Sequence, residues 1–248
     1  MLLEGLNPPQ RAAVTHSGSP LLIVAGAGSG KTRVLTHRIA YLLAERNVSP
    51  GAILAITFTN KAAGEMKERV AALVGGRARA MWVSTFHSAC VRILRAEIKR
   101  LGFKSTFSIY DQGDAQRLMT LCVRDLDLDP KRFPPRAMAA QVSNMKNELI
   151  DFQTCADRAR TVLEKQLAEV YALYQRRLRE ANALDFDDLI MTTVDLLRVF
   201  PEVAEHYRRR FRHVLVDEYQ DTNHAQYALV RELVGRSERR TAEGDVVR

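Results

Sequence analysis

Cysteine, tryptophan and long hydrophobic runs are scarce in this chain of 248 residues. Its three cysteines, Cys90, Cys122 and Cys155, are odd in number and widely separated, which excludes a disulfide framework and offers no paired spacing for zinc. The longest apolar stretches, such as residues 21–25, are far too short to cross a bilayer. Residues 1–5 lack a basic leader followed by an apolar run, so no signal peptide is predicted. We therefore expect a cytoplasmic protein with reduced thiols and no membrane partner.

What the chain does contain is enough apolar sequence for a folded core and an excess of positive charge. Hydrophobic residues make up 46% of the sequence, which disfavours wholesale disorder. Lys and Arg outnumber Asp and Glu by 37 to 29, giving a net charge of +8. Such an excess fits a nucleic acid or another polyanion as partner, although a generically basic soluble protein has the same composition.

Short apolar runs alternate with helical patterns over much of the chain, which predicts the α/β class with a parallel sheet flanked by helices. The predicted strands are residues 21–25, 53–58, 81–84 and 213–216. The predicted helices that follow them are residues 32–46, 61–74, 86–101 and 223–234.

The middle of the chain has a different pattern. Between residues 111 and 182 we find no convincing strand, and residues 156–181 repeat apolar positions at helical spacing. This predicts an α/β domain formed by residues 1–108 and 183–248, interrupted by an all-helical subdomain over residues 109–182. Beyond Val234 the sequence turns polar and charged, where a parallel sheet would be expected to return to a strand.

A glycine-rich turn joins the first apolar run to its helix. Its residues are Ala25, Gly26, Ala27, Gly28, Ser29, Gly30, Lys31 and Thr32, followed by Arg33. Backbone N–H groups of such a turn, with the helix N-terminus, can close around phosphate oxygens. We predict that Lys31 reaches the terminal phosphates, that Thr32 binds Mg²⁺ and that Arg33 lies near the nucleotide. The alternative is a glycine-rich turn in an ordinary α/β fold.

Two adjacent carboxylates, Asp217 and Glu218, follow the last apolar run. We predict that Asp217 holds Mg²⁺, directly or through water, and that Glu218 orients or deprotonates the attacking water. A strand that ends in solvent with two charged residues is the alternative. Because the chain also contains the glycine-rich turn, the functional interpretation is favoured. Together the turn and the acidic pair supply a site for ATP and Mg²⁺, with Lys31, Asp217 and Glu218 as catalytic residues.

Six segments, in this order, resemble the superfamily 1 DNA helicases of the UvrD/PcrA/Rep type. They are residues 6–10, 25–32, 56–63, 84–88, 184–189 and 217–221, and the resemblance covers essentially residues 5–235. It implies a P-loop, RecA-like motor domain that couples ATP hydrolysis to 3′-to-5′ movement on single-stranded DNA in repair or replication. It also implies binding at single-strand/duplex junctions, DNA-repair proteins as partners, and an adenine bracketed by the amide of Gln10.

The same resemblance assigns DNA contacts after two of the predicted strands. The residues are Thr57, Phe58, Thr59, Asn60, Thr85, Phe86 and His87. Aromatic faces stack on bases whatever their sequence, and polar groups bind the phosphates between them. For Phe58 and Phe86 core packing is the alternative, and His87 has either a DNA-binding or a structural role. Gln220 either couples nucleotide state to DNA grip or makes a loop hydrogen bond, and the basic cluster over residues 206–212 stays unassigned.

The resembling helicases are longer than this chain. The resemblance implies a further strand between those carrying residues 25–32 and 217–218, and a second motor domain that supplies arginines to the hydrolysis site. We therefore expect a truncated or frameshifted product with a gap in its sheet, exposed apolar surface, slow hydrolysis and no translocation by itself.

Two other functions are compatible with parts of the sequence. A non-catalytic module that binds nucleotide, DNA or a protein partner would explain the expected incompleteness. A nucleotide kinase or another P-loop phosphotransferase would explain residues 25–32, but it would leave Gln10, Phe58 and residues 84–88 without a common purpose.

Overall fold

The computed structural model describes residues 2–26 and 28–235, and the backbone of two short strands at 239–240 and 246–247. Ala27, which we predict to line the phosphate loop, lies outside the described residues, as does most of the polar tail beyond Val234. The chain forms two compact units. Unit 1 comprises Met1–Ala89, Glu205–Asp221 and Leu233–Arg248, and unit 2 comprises Cys90–Ala204 and Thr222–Glu232. The predicted domain boundaries at 108/109 and 182/183 follow the sequence pattern and stay a prediction.

The helices are α1 Pro8–Thr15, α2 Lys31–Ala44, α3 Asn60–Val74, α4 Phe86–Glu97, α5 Gln112–Asp125, α6 Pro135–Asn147, α7 Phe152–Arg158, α8 Val162–Glu180, α9 Phe186–Val199, α10 Pro201–Arg210 and α11 His224–Val234. The strands are β1 Ile53–Thr57, β2 Trp82–Thr85, β3 Ser108–Tyr110, β4 Ala183–Asp185, β5 His213–Val216, β6 Arg239–Arg240 and β7 Val246–Val247. In the described part of the chain, no helix combines the length and the apolar character needed to cross a membrane.

Unit 1 is built on a parallel sheet, which confirms that part of the predicted fold class. Its strand order is β2-β1-β5, with Leu54 beside both Trp82 and Val214. All five residues of β1 are buried, and Ile53 and Ala55 lie in a core that α2 and α3 help to form. Three of the four predicted strands therefore form close to their predicted bounds.

The fourth predicted strand, residues 21–25, is wrong. This segment has no regular secondary structure, and the exposed fractions of Leu22 and Val24 are 68% and 88%. The physical reason is that a strand needs a neighbour for its N–H and C=O groups, and the described residues place none beside this segment. The outer edge of β5 is likewise unpaired within the described part of the sheet.

Unit 2 is dominated by helices, as predicted for residues 111–182. Helices α5 to α8 enclose a core that includes Met119, Val142, Val170 and Leu178. The predicted helix over residues 156–181 is interrupted, because Thr161 caps α8 by accepting a hydrogen bond from the Glu164 N–H while Glu164 accepts one from Thr161. Strands β3 and β4, which pair in parallel, were not predicted.

A buried ionic cluster joins α6 to the start of α9 within unit 2. The Lys146 Nζ donates to Asp185 Oδ2 at 2.7 Å and lies 2.8 Å from Asp188 Oδ1, and its side chain is fully buried. The Tyr174 hydroxyl donates to the same Asp185 oxygen at 2.9 Å. Asp185 and Asp188 also form the capping box of α9. The cluster therefore fixes the point where β4 passes into α9.

The two carboxyl groups of this cluster differ in their ionisation. Burial, and next the charge of Asp185, raises the pKa of Asp188 from 3.8 to about 6. Burial also opposes ionisation of Asp185, but the Lys146 charge and its hydrogen bonds outweigh it and lower that pKa. Asp185 is therefore the carboxylate that stays ionised throughout the neutral range.

The raised pKa of Asp188 predicts a pH-dependent contribution to stability. Since the folded chain binds this proton more tightly than the unfolded chain, the contribution is fully present below about pH 4 and is lost as pH rises through about 6. Between pH 5 and pH 7 the unfolding free energy of the wild type should therefore fall by about 1 kcal/mol more than that of Asp188→Asn, which lacks this titrating group. Urea denaturation of both proteins at the two pH values measures it, and identical pH dependence would contradict the assignment.

Candidate nucleotide and DNA site

The turn that we predict to bind phosphate, called the phosphate loop from here on, is held by its own backbone and side chains. Gly28 and Gly30 have positive φ angles of 75° and 85°, which glycine adopts without the strain that a side chain would bring. The Ser29 hydroxyl donates to the Gly26 carbonyl at 2.6 Å. Gly30 is the N-cap of α2, so the loop delivers the helix N-terminus at Lys31. Unpaired N–H groups at such a helix start bind anions.

Lys31 points back into the loop that it follows. Its Nζ donates to the carbonyl oxygens of Ala25 and Gly26 at 3.0 and 3.2 Å. These contacts hold the ammonium group against the backbone of the turn. Phosphate oxygens bound there would be stronger acceptors than two neutral carbonyls, because the hydrogen bond would then join opposite charges.

Gln10 and Arg33 lie on the flank of the same turn. The Gln10 Nε2 donates to the Ser29 carbonyl at 3.0 Å, and its Oε1 accepts from the Asn7 N–H at 3.1 Å. A guanidinium nitrogen of Arg33 lies 2.9 Å from the position that a Cβ on Gly5 would occupy, so Gly5 makes room for it. Gln10 is thus fixed against the phosphate loop, whereas Arg33 is turned toward the residues before α1.

The acidic pair meets the phosphate loop through one hydrogen bond. Thr32 Oγ1 donates to Asp217 Oδ2 at 3.3 Å, across 185 residues of sequence. With Mg²⁺–O distances of about 2.0–2.1 Å, two adjacent ligands of an octahedral ion lie about 3 Å apart. The spacing and the all-oxygen donor set therefore fit Mg²⁺, whose remaining ligands would be phosphate oxygens and water. Among the described residues there is no cluster of three His, Cys, Asp or Glu side chains suited to a metal.

The environment of Asp217 favours a bound cation. Burial raises the pKa of its carboxyl group above 3.8, and the charge of Glu218 raises it further. A positive ion beside the pair would relieve both effects. The Asp217 N–H is itself anchored to the Ile56 carbonyl at 2.9 Å, so the end of β5 is held against β1.

Glu218 occupies a constrained position at the end of the sheet. Its φ angle is 49°, a conformation that non-glycine residues seldom adopt, and its N–H donates to Asp217 Oδ1 at 3.1 Å. The Gln220 amide donates to the Glu218 carboxylate, and also to Asp221 Oδ2 at 3.3 Å. Gln220 therefore orients the carboxylate that we predict to act on water, in addition to bonding within its loop.

A cavity of about 310 Å³ lies between the Thr32–Asp217 pair and the start of α3. Its wall includes Thr57, Phe58 and Thr59, which we predict to contact DNA, and also Glu65 and Arg69 on α3. The sequence analysis missed the last two. Glu65 and Arg69 stand one helical turn apart, with 3.4 Å between a guanidinium nitrogen of Arg69 and a carboxylate oxygen of Glu65. Their i, i+4 spacing is the signal that could have placed both side chains on one face of the helix.

The predicted DNA-binding residues differ in accessibility. Phe58, Thr59 and Asn60 are exposed at the carboxyl end of β1, whereas Thr57 is buried and donates to the Thr59 carbonyl at 3.1 Å. Phe86 is 1% exposed and packs edge-on against Phe58, with ring centroids 5.7 Å apart. Phe86 therefore supports Phe58 and presents no face of its own to a base.

The remaining two predicted DNA contacts lie at the junction of β2 and α4. Thr85 is buried, and its hydroxyl donates to Ser88 Oγ at 3.0 Å and accepts from the Ser88 N–H. His87 is half-buried. Thr85 thus caps the first turn of α4, and His87 is the more accessible of the two.

Comparison with known proteins agrees with this arrangement. Residues 6–246 match the family described as the UvrD/REP helicase N-terminal domain. The chain is 66% identical over 239 residues to the ATP-dependent DNA helicase UvrD1 of Mycobacterium tuberculosis (strain H37Rv), covering 95% of this chain and 31% of that protein. It is 52% identical over 244 residues to the ATP-dependent DNA helicase PcrA of Bacillus subtilis (strain 168), covering 98% of this chain and 33% of that protein.

The chain belongs to the UvrD/REP helicase N-terminal domain family, since the match extends over nearly its whole length. The predicted resemblance to UvrD/PcrA-type helicases is thereby confirmed. The chain spans about a third of the length of the relatives that it matches.

Proposed function

We propose that this chain is the ATP-binding and single-stranded-DNA-binding part of a 3′-to-5′ DNA helicase that acts in repair or replication. The observation that carries the proposal is the Thr32–Asp217 hydrogen bond of 3.3 Å. It brings the phosphate loop and the acidic pair into one cleft, as hydrolysis of a nucleoside triphosphate requires. The names of the relatives, ATP-dependent DNA helicases, agree with this chemistry.

The proposed fold is that of a P-loop, RecA-like motor. Its support is the parallel order β2-β1-β5, with the acidic pair and Phe58 at the carboxyl ends of neighbouring strands. Ligands of open α/β sheets bind at that edge. The glycine-rich loop that opens α2 reaches the same edge through Thr32.

Each residue of the cleft has a distinct role in the proposed reaction. Lys31 and the N–H groups at the start of α2 bind the terminal phosphates, and Gln10 reads the adenine. Thr32 and Asp217 would hold Mg²⁺, which would supply positive charge to the phosphate oxygens. Glu218 orients the attacking water or accepts its proton, and Gln220 holds Glu218 in position.

We propose that single-stranded DNA crosses the carboxyl ends of β1 and β2, including single strands at duplex junctions. Phe58 offers the accessible ring, Phe86 supports it from below, and Thr59 and Asn60 contact the phosphates. The cavity is lined by residues of both the proposed track and the proposed nucleotide site. DNA-repair proteins are the expected partners of the whole helicase.

By itself the chain should hydrolyse ATP slowly and should not translocate. The support is the exposed segment before the phosphate loop, which pairs with no strand of the described residues, because such a segment does not hold the loop rigidly. A single-turnover ATPase assay with and without single-stranded DNA tests this. Robust DNA-stimulated hydrolysis would contradict it, and the absence of any hydrolysis would favour a non-catalytic binding module.

Phe58→Ala is expected to weaken binding of single-stranded DNA about 10-fold, because stacking on one aromatic ring contributes about 1–3 kcal/mol per base. Fluorescence anisotropy with a labelled oligonucleotide measures the change. Phe152→Ala is the matched control, since that ring is 40% exposed against 36% for Phe58 but lies in unit 2. Equal affinities for Phe58→Ala and wild type would exclude Phe58 from the DNA track.

A further inference from the structure

The basic cluster that the proposed function leaves unused forms a patch at one end of the sheet in unit 1. We call Arg208, Arg209, Arg210 and Arg212 the arginine patch. The first three end α10, and Arg212 immediately precedes β5. Because the strands are parallel, residues that precede them lie at the edge opposite to their carboxyl ends. The patch is therefore at the far edge of the sheet from Asp217 and Phe58.

Arg210 is held in a fixed orientation. Its guanidinium carbon lies 4.8 Å from the centre of the Trp82 ring and 5.4 Å from that of Phe211. Trp82 is the first residue of β2, so this stack also stands at the amino end of the sheet. Arg210 itself is exposed. A stacked guanidinium keeps its N–H groups available in one plane, which suits bidentate binding of phosphate.

Among the residues that the structure describes, the charges of Arg209, Arg210 and Arg212 are weakly neutralised. Arg209 pairs with Glu205 at 2.7 Å, but both side chains are largely exposed, and such pairs are worth less than about 1 kcal/mol. Within the described part of the chain, neither Arg210 nor Arg212 has a carboxylate partner. Burial first, and then the charges of Arg212 and Arg38, lower the pKa of the neighbouring His213. The imidazole next to the patch therefore resists taking up a further positive charge.

The large aromatic rings beneath the arginine patch are too deeply buried for a base to stack on them. Trp82, Tyr207 and Phe211, the rings that underlie it, are 5%, 3% and 3% exposed. A single strand gains much of its affinity from stacking, whereas a duplex keeps its bases inside and presents a continuous phosphate backbone. The patch therefore fits the duplex rather than the single strand.

We propose that the arginine patch binds the sugar–phosphate backbone of duplex DNA, as a second DNA surface distinct from the single-strand track at the carboxyl ends of the strands. The inference rests on the proposed function in one respect, namely that the chain works on DNA. The patch contacts phosphates only, so binding there is independent of base sequence and strongly dependent on salt.

The test uses the full chain, a labelled duplex of about 20 base pairs and a single strand of equal length, titrated between about 50 and 200 mM salt. Arg210→Gln/Arg212→Gln removes two charges and keeps most of each side-chain stem. Since each phosphate contact contributes about 0.9 to the slope of log K against log salt, the duplex slope should fall in magnitude by about 1.8. The single-strand slope should stay unchanged.

Two further variants control for folding and for net charge. Arg209→Gln/Arg212→Gln leaves the Arg210–Trp82 stack intact and should reduce the duplex slope equally. Arg158→Gln/Arg176→Gln removes the same charge from exposed positions of unit 2 and should leave the slope as in wild type. Circular dichroism confirms that each variant is folded.

Any one of four results would overturn the inference. The patch variants could keep the wild-type duplex slope, or the unit 2 control could lose as much of that slope as they do. The patch variants could lose as much slope on the single strand as on the duplex, or the wild type could fail to bind the duplex. Failure of the proposed function has a different signature. If the proposed function is wrong, the chain will not bind nucleotide, or Phe58→Ala will bind single-stranded DNA as tightly as wild type does. Neither measurement involves the arginine patch.

Discussion

Replacing Lys146 with methionine is expected to lower the free energy of unfolding by about 3–5 kcal/mol. The Lys146 ammonium is fully buried between Asp185 and Asp188, and methionine has similar length but no charge. The substitution would leave a buried carboxylate without its cation, which costs far more than the lost ion pair contributes. Chemical denaturation followed by circular dichroism measures the loss.

Two companion variants separate charge from packing. Lys165→Met removes an exposed lysine from α8 and should change the free energy of unfolding by less than about 0.5 kcal/mol. Adding Asp188→Asn to Lys146→Met should recover part of the loss, because one of the two orphaned carboxyl groups is then neutral. A loss below about 1 kcal/mol for Lys146→Met would mean that the cluster is hydrated or already neutral.

Lys31→Ala is expected to weaken binding of Mg²⁺–ATP about 10- to 100-fold, since a hydrogen bond to a charged group contributes about 1.5–3 kcal/mol. The contacts of Lys31 with the Ala25 and Gly26 carbonyls place its ammonium group where the phosphates would bind. Isothermal titration calorimetry with a non-hydrolysable ATP analogue measures the affinity.

The matched control for Lys31 is Lys67→Ala, which removes an exposed lysine from α3 in the same unit. Its nucleotide affinity should equal that of wild type. Both variants should unfold at the wild-type denaturant concentration, because the carbonyls that Lys31 contacts can bind water instead. Undiminished nucleotide affinity in Lys31→Ala would remove the phosphate loop from the proposed function.

The sequence predicts those parts of unit 1 that depend on local pattern. Helices α2 and α3 begin within a residue of their predicted starts, because Gly30 and Thr59 supply cap positions that can be read from residue type. The proximity of Thr32 and Asp217 also follows from local features. Thr32 lies at the start of α2 and Asp217 directly follows β5, and both positions reach the same edge of the sheet.

The features that escaped prediction depend on partners remote in sequence. Residues 21–25 have strand composition, yet they form no strand because no described segment lies beside them to accept their hydrogen bonds. Strands β3 and β4 have three residues each, too few for a visible alternation. Lys146 is indistinguishable in sequence from a solvated helix lysine, and only the fold brings Asp185 to it from 39 residues away.

Phe86 shows the same limit at the candidate site. An aromatic residue directly after a strand serves equally well as a base platform or as core, and the choice depends on what covers it. In the structure Phe58 takes the outer position and Phe86 the inner one, so only one of the two rings is accessible.

The central claim is that Lys31, Thr32, Asp217 and Glu218 share one cleft that holds a metal–nucleotide complex. The most direct measurement is a crystal structure of the chain with Mn²⁺ and a non-hydrolysable ATP analogue, with the metal located by anomalous scattering. The account predicts the metal about 2.2 Å from Thr32 Oγ1, bonded to Asp217 directly or through one water, with the terminal phosphate against Lys31. A metal and nucleotide bound elsewhere, or about 10 Å or more from Asp217, would contradict it.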